Sequence, residues 1–218
     1  MSSHPHKHTA GRLCRSPRAL MAALGGLVLT VSLSVTAQPG LAPAFTVDPF
    51  WPQPLPNEWV LGNTVGVAVD ARDHVWIVHR PASVETPFLG ADQVPAIAEC
   101  CRAAPPVIEF DPAGNVVNAW GGPGDGYEWP DNMHGITVDA RGNVWLAGNG
   151  IDDTQILKFT RDGRFLLQIG RHGEHNGSAD TANLWQPSKI AVDEDADEVF
   201  VSDGYGNRRV IVFDAFRW

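Results

Sequence analysis

Positive charge is scarce in this chain: 16 Lys and Arg stand against 25 Asp and Glu in 218 residues, a formal net charge of −9. Proteins that bind nucleic acid generally neutralise phosphates with basic side chains, so a nucleic-acid partner is not expected. Cysteine is scarcer, at three, and two of the three are the adjacent Cys100 and Cys101. One adjacent pair without a second pair does not make a structural zinc site. Beyond residue 37 no stretch carries the apolar period of an amphipathic helix of useful length. What is present is a globular composition, 44% hydrophobic with 22 Gly, 17 Pro and 8 Trp. It excludes a disordered tail, a coiled coil and a collagen-like chain.

The first 37 residues differ from the rest. Lys7, Arg12, Arg15 and Arg18 precede an uncharged run, Ala19–Ala37, which ends in Val35-Thr36-Ala37 before Gln38-Pro39-Gly40. A basic start, an apolar run and a small-residue end are the parts of a signal peptide, and the Ser and Thr in the second half of the run favour cleavage over retention as an anchor. The expectation is an exported protein, periplasmic or extracellular, with no membrane contact after cleavage. Removing residues 1–37 takes away four basic residues and no acidic one, so 12 face 25 and the net charge becomes −13. His4, His6 and His8 leave with the leader and belong to no mature metal site. In an oxidising compartment Cys100 and Cys101 either form a vicinal disulfide or remain two thiols, and the residues alone leave both open.

The mature chain alternates two repeated segments. Gly66–Val78 reads GVAVDARDHVWIV and returns as GITVDARGNVWLA at Gly135–Ala147, with seven of thirteen positions identical at an offset of 69. A looser third copy starts at Lys189 and ends at Val201. The second kind, Ile108–Gly121, returns at Leu157–Gly170, an offset of 49 that matches Phe110 with Phe159 and Gly114 with Gly163. A third copy of it opens at Val210. Each segment is a short β-rich run, a polar turn and a second run, which predicts a hairpin. Two alternating hairpins give a four-stranded unit, and the chain holds two such units plus three strands of a third. Four antiparallel strands at this period predict an all-β protein of the β-propeller type. The longer first spacing is assigned to an insertion at 81–106. The resulting division is a signal peptide at 1–37, an N-terminal extension at 38–58 and a partial propeller at 59–218.

Hairpins of the form G-I-x-V-D-x-x-G-N-V-W-V followed by x-I-x-x-F-D-x-x-G-x resemble NHL repeats. Three stretches are similar to the six-bladed NHL propeller of the peptidyl-α-hydroxyglycine α-amidating lyases and their bacterial relatives. They are Gly66–Arg80 with its His-Arg end, Met133–Trp145, and Val199–Phe213 with its D-G-Y-x-N-x-R run. The resemblance implies cleavage of a peptidyl-α-hydroxyglycine to a peptide amide and glyoxylate, assisted by zinc. By position it implies that His134 is the first of three zinc-ligand histidines, that Tyr205 is the base and that Arg80 steadies the site. It also implies a structural calcium taken up in part by the backbone carbonyls of Val67 and Ile136. A peptide or small-molecule ligand is expected on the loop face. The alternative is a non-catalytic propeller that binds a peptide, glycan or protein on that face, since a fold does not decide a function.

Other features read as structural. His172 and His175 lie in a glycine-rich loop and are expected in solvent. The run Gly121–Gly126 follows a strand without opening a helix, so it is no phosphate cradle. Asp193–Glu198 lacks the central Gly and distal Glu of a calcium loop and reads as an acidic turn. The tryptophans read as packing residues. The chain departs from the family in two respects: two of the three zinc histidines should come from later blades, and Arg217 stands where the earlier repeats have Gly114 and Gly163. The expectation is therefore an incomplete, inactive fragment of a propeller with about three of its six blades.

Overall fold

The Val-Asp…Val-Trp segments fold as hairpins for a reason local to each turn. In the computed structural model, which describes residues 44–84 and 88–216, Asp70 Oδ1 accepts the backbone N–H groups of Arg72 at 2.8 Å and His74 at 3.1 Å. Its Oδ2 accepts the indole N–H of Trp76 at 3.2 Å. Asp139 repeats the arrangement with the backbone of Asn143 at 2.7 Å and the indole of Trp145 at 3.1 Å. One carboxylate thus closes the turn and satisfies the single polar atom of a fully buried tryptophan. In hairpins of the second kind, Gly114 and Gly163 turn the chain at φ +89° and +82°, a left-handed conformation that glycine adopts without steric cost.

Among the described residues there are thirteen strands: β1 Trp59–Val60, β2 Asn63–Val69, β3 Val75–Arg80, β4 Arg102–Ala103, β5 Val107–Phe110, β6 Val116–Trp120, β7 Met133–Val138, β8 Val144–Gly148, β9 Ile156–Phe159, β10 Phe165–Ile169, β11 Lys189–Asp193, β12 Glu198–Asp203 and β13 Arg209–Asp214. Eleven of them form two four-stranded antiparallel sheets, β2-β3-β5-β6 and β7-β8-β9-β10, and a three-stranded one, β11-β12-β13. Among the described residues the one helical element is a single 3-10 turn at Pro81–Ser83, and no helix is long and apolar enough to cross a membrane. The leader at 1–37 and Arg217 lie outside the described residues.

Apolar side chains fill the space between successive sheets. Trp76, Val78 and Val107 of the first sheet meet Ile136, Leu146, Leu157 and Phe159 of the second. Trp145, Ile156 and Ile169 of the second meet Ile190, Val199 and Phe213 of the third. Strands β8 and β9 are buried at every residue, as middle strands covered on both faces must be. The exception in chemistry is Lys158 on β9. Its ammonium donates to the Ala215 carbonyl at 3.1 Å and lies 4.6 Å from the rings of both Trp145 and Phe216, which replaces part of its lost hydration.

The innermost strands β2, β7 and β11 approach closely. A Cβ added at Gly66 would stand 3.0 Å from the His134 carbonyl oxygen, and one at Gly135 would stand 2.3 Å from that of Ser188. The repeated glycine is thus a spacing device between neighbouring sheets. The stretch between β3 and β5 returns to the residues just after the N-terminal extension, where β4 pairs parallel with β1. It contains the Cys100–Cys101 disulfide, so of the two states the sequence allows, the structure has the bonded one. Cys101 packs with Val84 and Ala91 in a small separate core.

Candidate functional site

The sheet order carries distant residues to one end of the inner strands. His134 is the second residue of β7, and Tyr205 follows β12 in the turn before β13. His134 Nε2 and the Tyr205 hydroxyl are 2.9 Å apart, in hydrogen-bond contact across 71 residues of sequence, with ring centroids 5.5 Å apart. Both line a cavity of about 380 Å³ together with Val65, Val67, Ile136, Ser188 and Lys189. His134 Nδ1 is buried and bonds to no other residue. Burial, and then the charge of Arg80, hold the imidazole below the ordinary histidine pKa of 6.5, with its own backbone acting the other way. At neutral pH it is an uncharged imidazole, the form that binds a metal or accepts a proton.

Arg80 ends β3 and stands behind this pair. Its Nε–H donates to the Met133 carbonyl at 2.8 Å and its Nη2 donates to Asn149 Oδ1 at 3.2 Å. Asn149 Oδ1 also accepts from Asn132 Nδ2 at 2.8 Å. Asn132 lies in a loop organised by Asp153, a fully buried carboxylate that accepts the backbone N–H groups of Asp131, Asn132 and Gly150. Arg80 borders a second cavity of about 500 Å³ lined by Trp129, Met133, Asp131 and several prolines.

The five positions singled out in the sequence therefore fall close together. His134, Tyr205, Val67 and Ile136 share one cavity, and Arg80 is bonded to the residue before His134. For zinc, the cavity supplies one imidazole and one phenol; no second histidine lines it among the described residues, so it fits one arm of a three-histidine site and not a whole one. For calcium the fit is worse, since the Ile136 carbonyl accepts a hydrogen bond from Lys189 Nζ at 3.0 Å. Lys189 was not singled out as a site residue, although a signal was present: it stands where the other two repeats have Gly66 and Gly135. Asn149 and Asp153 carry no motif that would mark them.

His175 is exposed and His172 partly so, as the glycine-rich loop predicts, and each also has a side-chain partner. His172 Nε2 lies 3.1 Å from Asp131 Oδ2, and His175 stacks on Trp185 at 4.2 Å. A carboxylate and an indole hold rings that the glycine-rich backbone would leave free. Two clusters among the described residues bring potential ligand atoms together, Asp131 with Asp153 and His172, and Asp70 with His74 and Glu109. They are compatible with metal use, but their present partners are backbone N–H groups and arginines.

Residues 184–213 match the NHL repeat family. The four-stranded antiparallel sheets are consistent with the blades of a β-propeller, and this one match is to a repeat of that kind. Curated proteins similar to this chain include ones named as amidating enzymes. It is 28% identical over 172 residues to peptidyl-alpha-hydroxyglycine alpha-amidating lyase 1 of Drosophila melanogaster, a match over 75% of this chain and 29% of that protein. It is 27% identical over 169 residues to a probable peptidyl-alpha-hydroxyglycine alpha-amidating lyase of Caenorhabditis elegans, over 71% of this chain and 42% of that protein. The chain thus spans less than half the length of these two curated relatives. Among solved structures, a gluconolactonase from Xanthomonas campestris aligns over 70% of this chain and 37% of that chain at 16% identity, with a TM-score of 0.40.

Proposed function

We propose that this chain carries part of a lyase site for peptidyl-α-hydroxyglycines, in an exported six-bladed NHL propeller delivered by the leader at 1–37. The observation that carries the reading is the contact between His134 Nε2 and the Tyr205 hydroxyl at 2.9 Å, because it pairs a neutral imidazole with the one phenol in the cavity. In the proposed reaction Tyr205 takes the proton of the substrate hydroxyl. The oxygen electrons form the aldehyde C=O of glyoxylate, the carbon–nitrogen bond breaks, and the nitrogen regains a proton as the peptide amide. Arg80 holds the strand bearing His134, and its charge favours a carboxylate or alkoxide nearby. His134 is one zinc ligand; the metal, when bound, supplies Lewis acidity at the hydroxyl oxygen. The peptide part of the substrate lies on the loop face.

One histidine does not hold a catalytic zinc, so the 218-residue chain by itself is expected to release no glyoxylate. The test is glyoxylate release from a hydroxyglycine peptide with zinc supplied, using the product of an extended reading frame and its Tyr205→Phe variant. Release that falls at least a hundredfold in the variant supports the lyase. No release from the extended protein sinks it and leaves a binding propeller. Turnover by the purified 218-residue chain overturns the reading that its site is incomplete.

A further inference from the structure

The cavity that holds His134 and Tyr205 also holds Val67 and Ile136, whose carbonyls the lyase resemblance assigns to a calcium ion. Calcium takes six to eight oxygen ligands, and carboxylates are prominent among them. No Asp or Glu lines this cavity among the described residues, and the side-chain oxygens that do are the neutral hydroxyls of Ser188 and Tyr205. A cation is present nonetheless. Lys189, the first residue of β11, reaches across to β7 and places its ammonium 3.0 Å from the Ile136 carbonyl oxygen. Its position in the repeat is that of Gly66 and Gly135, neither of which has a side chain to offer. A divalent ion on the same carbonyl would sit within a few ångströms of that ammonium, with no nearby carboxylate to offset the repulsion.

We infer that the Lys189 ammonium occupies, at the Ile136 carbonyl, the place that the resemblance gives to calcium, and that this cavity takes up no calcium. The internal cation joins β11 to β7 whatever the calcium supply, and it is independent of whether the protein is a lyase.

The test is calcium binding to the whole chain, followed by calorimetry and by thermal unfolding in EDTA and in millimolar calcium, the range in which weak extracellular sites fill. The wild type is expected to show no binding heat and one midpoint in both solutions. The Lys189→Asp variant frees the carbonyl and adds a carboxylate, and is expected to gain a calcium-dependent rise in midpoint. Calcium uptake with stabilisation of the wild type overturns the inference, and so does a folded variant that remains indifferent to calcium. Should the variant not fold, acetylation of the wild type decides, since Lys189 is one of three lysines and its peptide is readily identified. Labelling of Lys189 unchanged by calcium supports the internal cation, and labelling that rises with calcium, as the ammonium is displaced, overturns it.

Discussion

Arg80 donates its Nε–H to the Met133 carbonyl at 2.8 Å, so the end of β3 is tied to β7 one residue before His134. The tie places a fixed positive charge where it disfavours protonation of the imidazole, second only to burial. Replacing Arg80 by Gln removes the charge and keeps a hydrogen-bonding group. The His134 pKa then rises toward its ordinary value, while burial still holds it below. Histidine ring shifts followed by NMR across a pH series check this; a His134 titration identical in both proteins contradicts it.

A second histidine makes stability depend on pH. His79 is fully buried; its Nδ1 accepts the backbone N–H of Gly62 at 3.2 Å and its Nε2 donates to the Pro105 carbonyl at 3.0 Å. Accepting at Nδ1 requires the neutral ring, and burial lowers its pKa from 6.5 against the pull of the Pro105 and Ala104 backbone. Between the lowered value and 6.5 the unfolded chain binds the extra proton and the folded chain does not. This contribution is therefore complete above pH 6.5 and is lost as pH falls through the folded value. His79→Leu leaves two backbone groups unpaired, costing about 1–3 kcal/mol at neutral pH, and flattens the slope on the acid side of pH 6.5. Urea unfolding at a series of pH values measures both.

The first and second sheets are pinned by a charge cluster. Glu109 on β5 is fully buried, with Oε1 against His74 Nδ1 at 2.6 Å and against the guanidinium of Arg161, which comes from the β9–β10 turn. Arg161 also reaches Asp70 at 3.4 Å, and its carbonyl accepts the side chains of Asn118 and Trp120. Arg161→Gln leaves a buried carboxylate without its main counter-charge and is expected to cost about 3–5 kcal/mol. Changing both Glu109 and Arg161 to Met should recover most of that loss, because burying apolar groups of similar size carries no desolvation penalty for charge. Equal losses in the single and double variants, measured by urea unfolding, would contradict this account.

The hairpins are legible in the sequence because each is specified within about a dozen residues. Asp70 with Trp76, and Asp139 with Trp145, are the turn carboxylate and the buried indole of one local device, and repetition at a fixed phase puts equivalent strands side by side. That phase also lets His134 and Tyr205 be suspected as neighbours. Contacts that depend on a single side chain reaching another sheet are not legible. Lys189 on the Ile136 carbonyl and Asn149 beneath Arg80 arise from the distance between sheets, which no local pattern records. The Cys100–Cys101 pair is undecided in sequence for a different reason: adjacency permits the bond without requiring it.

Gly135 and Gly204 separate close approach from mere flexibility. Neither has a positive φ, but a Cβ at Gly135 would meet the Ser188 carbonyl oxygen at 2.3 Å, whereas one at Gly204 meets nothing within 4 Å. Backbone cannot step aside as a side-chain tip can, so Gly135→Ala must push β7 and β11 apart, at a cost of about 1–3 kcal/mol. Gly204→Ala, on an exposed turn, should stay within about 0.5 kcal/mol of wild type. The displacement at Gly135 also acts on the site, since His134 rides on β7 while Tyr205 belongs to the sheet of β11. Their 2.9 Å contact should lengthen, and the His134 ring signals should move in Gly135→Ala even where the protein remains folded. An unchanged His134 spectrum in a destabilised Gly135→Ala protein would mean that the spacing of the inner strands does not set the geometry of the pair.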